Sequence, residues 1–137
     1  MLLGEKLVLY RRSSGEVVCL RDKCVHRGDE LSRGRVINDC LACPYHGWQY
    51  DESGACVHIP SNTEGQSISK KAKVKSYPTQ ENYGFIWVFM GDLPEAERPP
   101  IPELPEYGQP GWRTFEFDWL LKGHYTRVAE NAIDVSH

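Results

Sequence analysis

The residues best suited to chemistry lie in two short segments, Cys24-Val25-His26-Arg27-Gly28 and Cys43-Pro44-Tyr45-His46-Gly47-Trp48. They read as Cys-X-His, a gap of sixteen residues, then Cys-X2-His. Two thiolates and two imidazoles make four metal ligands, and the glycines at 28 and 47 allow tight turns that point N–H groups at anionic sulfur. A tetrahedral zinc site uses the same donors, but zinc ligand pairs are usually separated by about two to four residues, so the single residue in Cys24-Val25-His26 is tight for it. A catalytic Cys–His pair needs no duplicated arrangement. Accidental core cysteines would not sit twice beside a histidine, a glycine and a turn.

Both half-sites fall at the ends of short β-prone runs. Leu7-Val8-Leu9-Tyr10 and Glu16-Val17-Val18-Cys19-Leu20 flank Arg-Arg-Ser-Ser-Gly and predict a hairpin. A second hairpin is expected over residues 34–43 around Asn38-Asp39, and a third joins Trp48-Gln49-Tyr50 to Cys56-Val57-His58-Ile59. Lys73-Val74-Lys75 alternates, and Gly84-Phe85-Ile86-Trp87-Val88-Phe89 reads as a strand buried on both faces. Six or more short antiparallel strands predict an all-β sandwich or barrel-like domain over residues 1–91. Six of the nine prolines then lie between Asp92 and Gly111, which predicts a linker or wrapped arm. Residues 112–137 open a further domain, with a strand over Trp112–Trp119 and a short helix from about His124 to His137. Cys19, Cys40 and Cys56 are expected as small buried hydrophobes, His58 on a strand, His124 near a helix start and Trp48 as a shield over the metal centre.

The 137 residues are 40% hydrophobic and 26% charged, which excludes disordered and collagen-like classes. A net charge of −3 with mixed signs argues against nucleic acid as a partner. Lys70, Lys71, Lys73 and Lys75 read as the solvent face of a strand or as a docking patch for an acidic redox partner. The sequence shows no apolar run of about 18 residues and no secretory signal. Five cysteines, an odd number, argue against a fully paired disulfide framework and for a reducing compartment, which is the cytoplasm or, if the source is eukaryotic, the stromal side of a plastid.

At Cys24, His26, Cys43 and His46 the sequence resembles the Rieske proteins, in which two irons and two sulfides are held by two cysteines on one iron and two histidines on the other. The resemblance implies a Rieske iron-sulfur fold, a [2Fe-2S] cluster, Cys24 and Cys43 on the buried iron, and His26 and His46 on the outer iron that takes the electron. Reduction would then place a negative charge beside two imidazoles and raise their pKa, coupling electron and proton uptake at high pH. Respiratory-complex members carry an extra cysteine after each half-site, whereas Arg27-Gly28-Asp29 and Pro44-Tyr45 stand here. The wording resembles the low-potential centres of non-haem iron oxygenase catalytic subunits.

The ending Glu130-Asn131-Ala132-Ile133-Asp134-Val135-Ser136-His137 places Asn131, Asp134 and His137 three apart, on one face of a helix. It resembles the Asn-X-X-Asp-X-X-His start of the mononuclear iron site in Rieske oxygenases, and it is most similar to the branch containing pheophorbide a oxygenase and chlorophyllide a oxygenase. This implies His137 as the first ligand of a mononuclear Fe(II) and Asp134 as an electron bridge to His46 of a neighbouring subunit in a homotrimer. It also implies O2, an organic substrate and an electron-donating reductase or ferredoxin as partners of the full-length protein. The resemblance further implies an excised piece, inactive on substrate by itself, because the second histidine and the carboxylate of the iron site are missing. The alternative is a stand-alone Rieske ferredoxin-type electron carrier.

Overall fold

The computed structural model describes residues 1–118 and 120–134. They divide into two compact units, Met1–Pro102 and a second that starts at Glu103, so the division falls inside the Pro-rich stretch.

The first unit is all-β. Strands β1 (Leu7–Arg11) and β2 (Val17–Arg21) form the first expected hairpin, with Val8 opposite Leu20 and Tyr10 opposite Val18. Apolar residues alternate along β1, so Val8 and Tyr10 turn inward while Leu9 stays exposed. Strands β3 (Arg35–Ile37), β4 (Cys40–Ala42), β5 (Gln49–Tyr50) and β6 (Cys56–His58) follow as a four-stranded antiparallel meander, which contains the second and third hairpins. Strand β7 (Ser76–Tyr77) returns to β2 and completes the first sheet in the order β1-β2-β7. Strands β8 (Thr79–Asn82) and β9 (Phe85–Val88) pair as a two-stranded ribbon.

Leu20, Leu31 and Tyr50 are fully buried, surrounded by Val8, Tyr10, Val18, Leu41 and Val74. Each large apolar side chain buried in this way contributes about 1.5–3 kcal/mol. Cys24, Cys43 and Cys56 belong to the same cluster, so both candidate thiol ligands are part of the core. Two carboxylates tie loops to this frame. Asp22, itself buried, accepts bonds from the Ser32 N–H and hydroxyl at 2.7 Å each, and so holds the 3-10 turn Leu31–Arg33 against the end of β2. Asp39, in the turn between β3 and β4, accepts the Ser13 N–H at 2.7 Å and the Ser13 hydroxyl at 2.8 Å, which clamps that turn to the turn between β1 and β2. Asn38 and Asp39 both have positive φ, 48° and 63°, as a two-residue hairpin turn between right-twisted strands requires.

Four expectations need correction. The run at β9 is not buried on both faces: Phe85 is 61% exposed, because the strand pairs only with β8 and no second layer within its unit covers it. Lys73-Val74-Lys75 makes one bridge, Lys73 to Ala55, and the strand begins only at Ser76, although Val74 does point inward between exposed lysines. Residues 112–118 form no strand, since alternation alone supplies no partner for the backbone; Trp119 lies outside the described residues. The last element, helix α1, spans Tyr125–Ile133, and Asp134 follows it in extended conformation. Asn131 and Asp134 therefore do not share a helical face. Aspartate is a weak helix former, and a carboxylate in the last turn opposes the negative end of the helix dipole. His137 lies outside the described residues.

His124 precedes α1 as its N-cap, and Cys19 is buried in β2 with its thiol pushed up to about 11 by that burial. Cys40 is only half-buried, at the first position of β4. Among the described residues no helix is long and apolar enough to cross a membrane.

The Asp39 clamp makes a pH prediction. Its two Ser13 bonds, the backbone one first, hold the carboxyl below its ordinary range. A depressed carboxyl contributes stability above its unfolded pKa of about 4 and loses it as pH falls through the folded value. Asp39→Asn keeps a residue that tolerates positive φ but removes the charge. The stability gap between wild type and variant, read from urea melts, should be full at neutral pH and close as pH drops below about 4.

Candidate metal centre

The two half-sites fold as the same closed turn. In the first, the Gly28 N–H bonds to the Cys24 carbonyl at 2.8 Å and the Cys24 N–H bonds to the Asp29 carbonyl at 2.8 Å. In the second, the Gly47 N–H bonds to the Cys43 carbonyl at 3.0 Å and the Cys43 N–H to the Trp48 carbonyl at 2.8 Å. Both turns run five residues from Cys to Gly, and both glycines have positive φ, 78° and 72°. The unequal spacings Cys-X-His and Cys-X2-His therefore describe one loop geometry that carries its histidine at the third position in one copy and the fourth in the other. The second turn is the connection from β4 to β5, and the first follows β2.

Depth sorts the four side chains into two pairs. Cys24 and Cys43 are 2% and 4% exposed, and their sulfurs are within hydrogen-bond reach of each other. The imidazoles lie outward: His26 is half-buried, His46 is exposed, and their ring centres are 4.8 Å apart. Trp48 lies flat against His26, with centroids 4.6 Å apart and planes 2° from parallel. Tyr45 covers His46 at 3.8 Å.

Polar donors are already aimed at the sulfurs. The Tyr45 and His46 N–H groups point to Cys43, but burial outweighs them and pushes its thiol up. The Tyr50 hydroxyl is 3.1 Å from the Cys24 sulfur and also receives the Val25 N–H. Burial, then the neighbouring Cys24, raises the Tyr50 phenol so far that it keeps its proton, which it can donate to a Cys24 thiolate. Partial burial, then the neighbours His46 and Arg27, lower the His26 pKa and favour the neutral imidazole, the form that binds metal.

Among the described residues no three of His, Cys, Asp and Glu converge on a single ion. The donors stand as an inner thiol pair and an outer imidazole pair. This suits a two-metal cluster with one pair per metal better than one tetrahedral ion, and the amide and hydroxyl donors suit the negative charge that such a cluster brings.

Residues 1–78 match the Rieske [2Fe-2S] domain. The chain belongs to that family. The cofactor of a Rieske domain is a [2Fe-2S] cluster, and the small antiparallel sheets described above are its fold. The chain is 35% identical to 4beta-methylsterol monooxygenase of Methylococcus capsulatus over 137 residues, which cover 98% of this chain and 37% of that protein. It is 40% identical to the chloroplastic chlorophyllide a oxygenase of Chlamydomonas reinhardtii over 109 residues, 80% of this chain and 16% of that one. The crystal structure of dicamba monooxygenase with non-haem iron and dicamba superposes with a TM-score of 0.70 at 37% identity, covering 81% of this chain and 33% of that one. The Rieske chain thus spans well under half the length of these relatives.

The structure brings Cys24, His26, Cys43 and His46 together. Asp134 belongs to the second unit, and His137 is outside the described residues. Sequence reasoning passed over Tyr50 as a contributor to the Rieske site. No local signal marks it: Tyr50 lies on β5 and its tie is to Cys24, 26 residues earlier in the chain.

Gly47 tests the shared turn. A Cβ there would meet the Pro60 ring at 3.0 Å on top of the cost of positive φ, whereas one at Gly28 would meet only the flexible Lys23 chain at 3.4 Å. Gly28→Ala should cost about 1–2 kcal/mol in thermal unfolding and Gly47→Ala more, with equal losses contradicting the packing of Pro60 on the second turn.

Proposed function

We propose that Cys24 and Cys43 hold the inner iron of the Rieske cluster and His26 and His46 the outer iron, and that the domain accepts electrons for an oxygen-dependent oxidoreductase. The observation that carries this reading is the sorting of the donors by depth, thiols inside and imidazoles at the surface. The cluster, when bound, supplies reversible one-electron transfer. The protein's own groups set the terms of that exchange. Tyr50 donates to the Cys24 sulfur and the Tyr45 and His46 amides to Cys43, and each such bond strengthens as negative charge grows. Trp48 and Tyr45 hold the two imidazoles in place, so that the outer pair offers the short route in from solvent.

The whole protein is, on this reading, a Rieske oxygenase that takes electrons from a reductase or ferredoxin and uses O2 on an organic substrate. Its relatives named as monooxygenases and oxygenases support this. The dicamba monooxygenase structure holds a non-haem iron in addition, and we assign His137 as a ligand of the equivalent Fe(II) and Asp134 as the bridge to His46 of a neighbouring subunit in a homotrimer. All five cysteines are free among the described residues, in keeping with a reducing compartment, cytoplasm or plastid stroma.

Electron paramagnetic resonance of the dithionite-reduced protein should give the rhombic signal of a histidine-ligated two-iron cluster; a colourless zinc protein would overturn the assignment. The potentials of two variants should then fall in order. Tyr50→Phe removes one donor from sulfur and should lower the potential by tens of millivolts, the equivalent of a hydrogen bond worth about 1 kcal/mol. His46→Cys adds a thiolate and should move it toward the roughly −400 mV of all-cysteine clusters. An unchanged potential in His46→Cys contradicts its place as a ligand.

A further inference from the structure

Four cations from two separate segments meet beside the Cys24 turn. Arg21 and Lys23, at the end of β2, and Lys73 and Lys75, before β7, line one open groove of about 450 Å³, and no carboxylate lines it. The Arg21 N–H donates to the Lys75 carbonyl at 2.8 Å, which fixes the two basic segments side by side. Arg21 is paired with Glu5 at 3.1 Å and Lys75 with Asp92 at 3.6 Å. Lys23 and Lys73 have no ion-pair partner among the described residues. The chain as a whole carries −3, so this cationic excess is local. Arg33, paired with Glu30 at 2.9 Å, and Arg35 line a further groove beside the Cys43 turn.

The site lies against this charge. Cys24 and Val25 form part of the groove wall, and Val25, between two candidate ligands, is 44% exposed. The Lys23 chain lies along the Gly28 turn, its Cε 3.4 Å from where a Cβ at 28 would stand.

We propose that this groove docks an acidic electron-transfer protein, which gives up one electron and is oxidised as the cluster is reduced by one; the inference rests on the Rieske reading above. The cations are exposed and spread along an open groove. That arrangement steers a partner bearing an acidic patch, whereas a small anion needs donors converging on a point. A single-stranded nucleic acid calls for stacking platforms, and no aromatic residue lines the groove.

The test is stopped-flow reduction of the cluster-loaded protein by a reduced acidic [2Fe-2S] ferredoxin, with an uncharged deazaflavin radical as reference reductant. Charge reversal near the cluster also shifts its potential, so the readout is the ratio of the two rates. In Lys23→Glu/Lys73→Glu the ratio should fall about tenfold at low salt and lose most of its ionic-strength dependence. Lys70→Glu/Lys71→Glu, outside the groove, should leave it near wild type. An unchanged ratio in the first variant overturns the docking surface, as does an equal fall in the second or comparable binding of a single-stranded oligonucleotide. Absence of the rhombic signal in wild type defeats the Rieske reading itself, whereas a normal signal with salt-independent ferredoxin reduction defeats the docking alone.

Discussion

Two backbone bonds in each closed turn decide which way the candidate metal-binding side chains face. With Gly28 tied to Cys24 and Gly47 tied to Cys43, the first residue of each turn is drawn into the core and the later residues are left at the surface. The left-handed glycines close the turns, and the N–H groups in the second of them point to a sulfur. The rest of the first unit holds the two turns against each other: one follows β2, the other spans β4 to β5, and Tyr50 reaches from the second to the thiol of the first.

That placement has an electrostatic cost that a bound cluster would offset. A buried thiol resists ionisation, and burial raises the Cys43 pKa despite two amide donors. On the proposed ligand assignment, iron binding would require the thiolate, so cluster assembly would be linked to the stability of this core, with affinity rising as pH rises. The same burial keeps Tyr50 protonated and therefore a donor. The imidazoles lie outward, His26 half-buried and His46 exposed.

Much of this was legible in the sequence because it is local. Asn38-Asp39 marks its turn by a preference for positive φ, and Cys, His and Gly repeated at short spacing mark the two candidate ligand loops. What was not legible depends on partners distant in sequence. The apolar stretch at Phe85–Val88 looks like a buried strand, but periodicity cannot say what covers it, and here one ribbon partner leaves Phe85 exposed. The alternation at residues 112–118 found no strand to pair with. Lys73 and Lys75 read as a solvated face or a docking patch, and their company was not legible: Arg21 and Lys23 lie some fifty residues earlier and join them only in the fold. Tyr50 passed unnoticed because its role comes from Cys24, a contact 26 residues apart.

The central claim is that cysteines take one iron and histidines the other. Pulsed electron-nuclear double resonance on the reduced protein, grown with nitrogen-15 histidine, measures this directly. Two inequivalent, strongly coupled histidine nitrogens are predicted, with one of them lost in His26→Cys or in His46→Cys. A spectrum with no strongly coupled histidine nitrogen, or with only one in the wild type, would contradict the account.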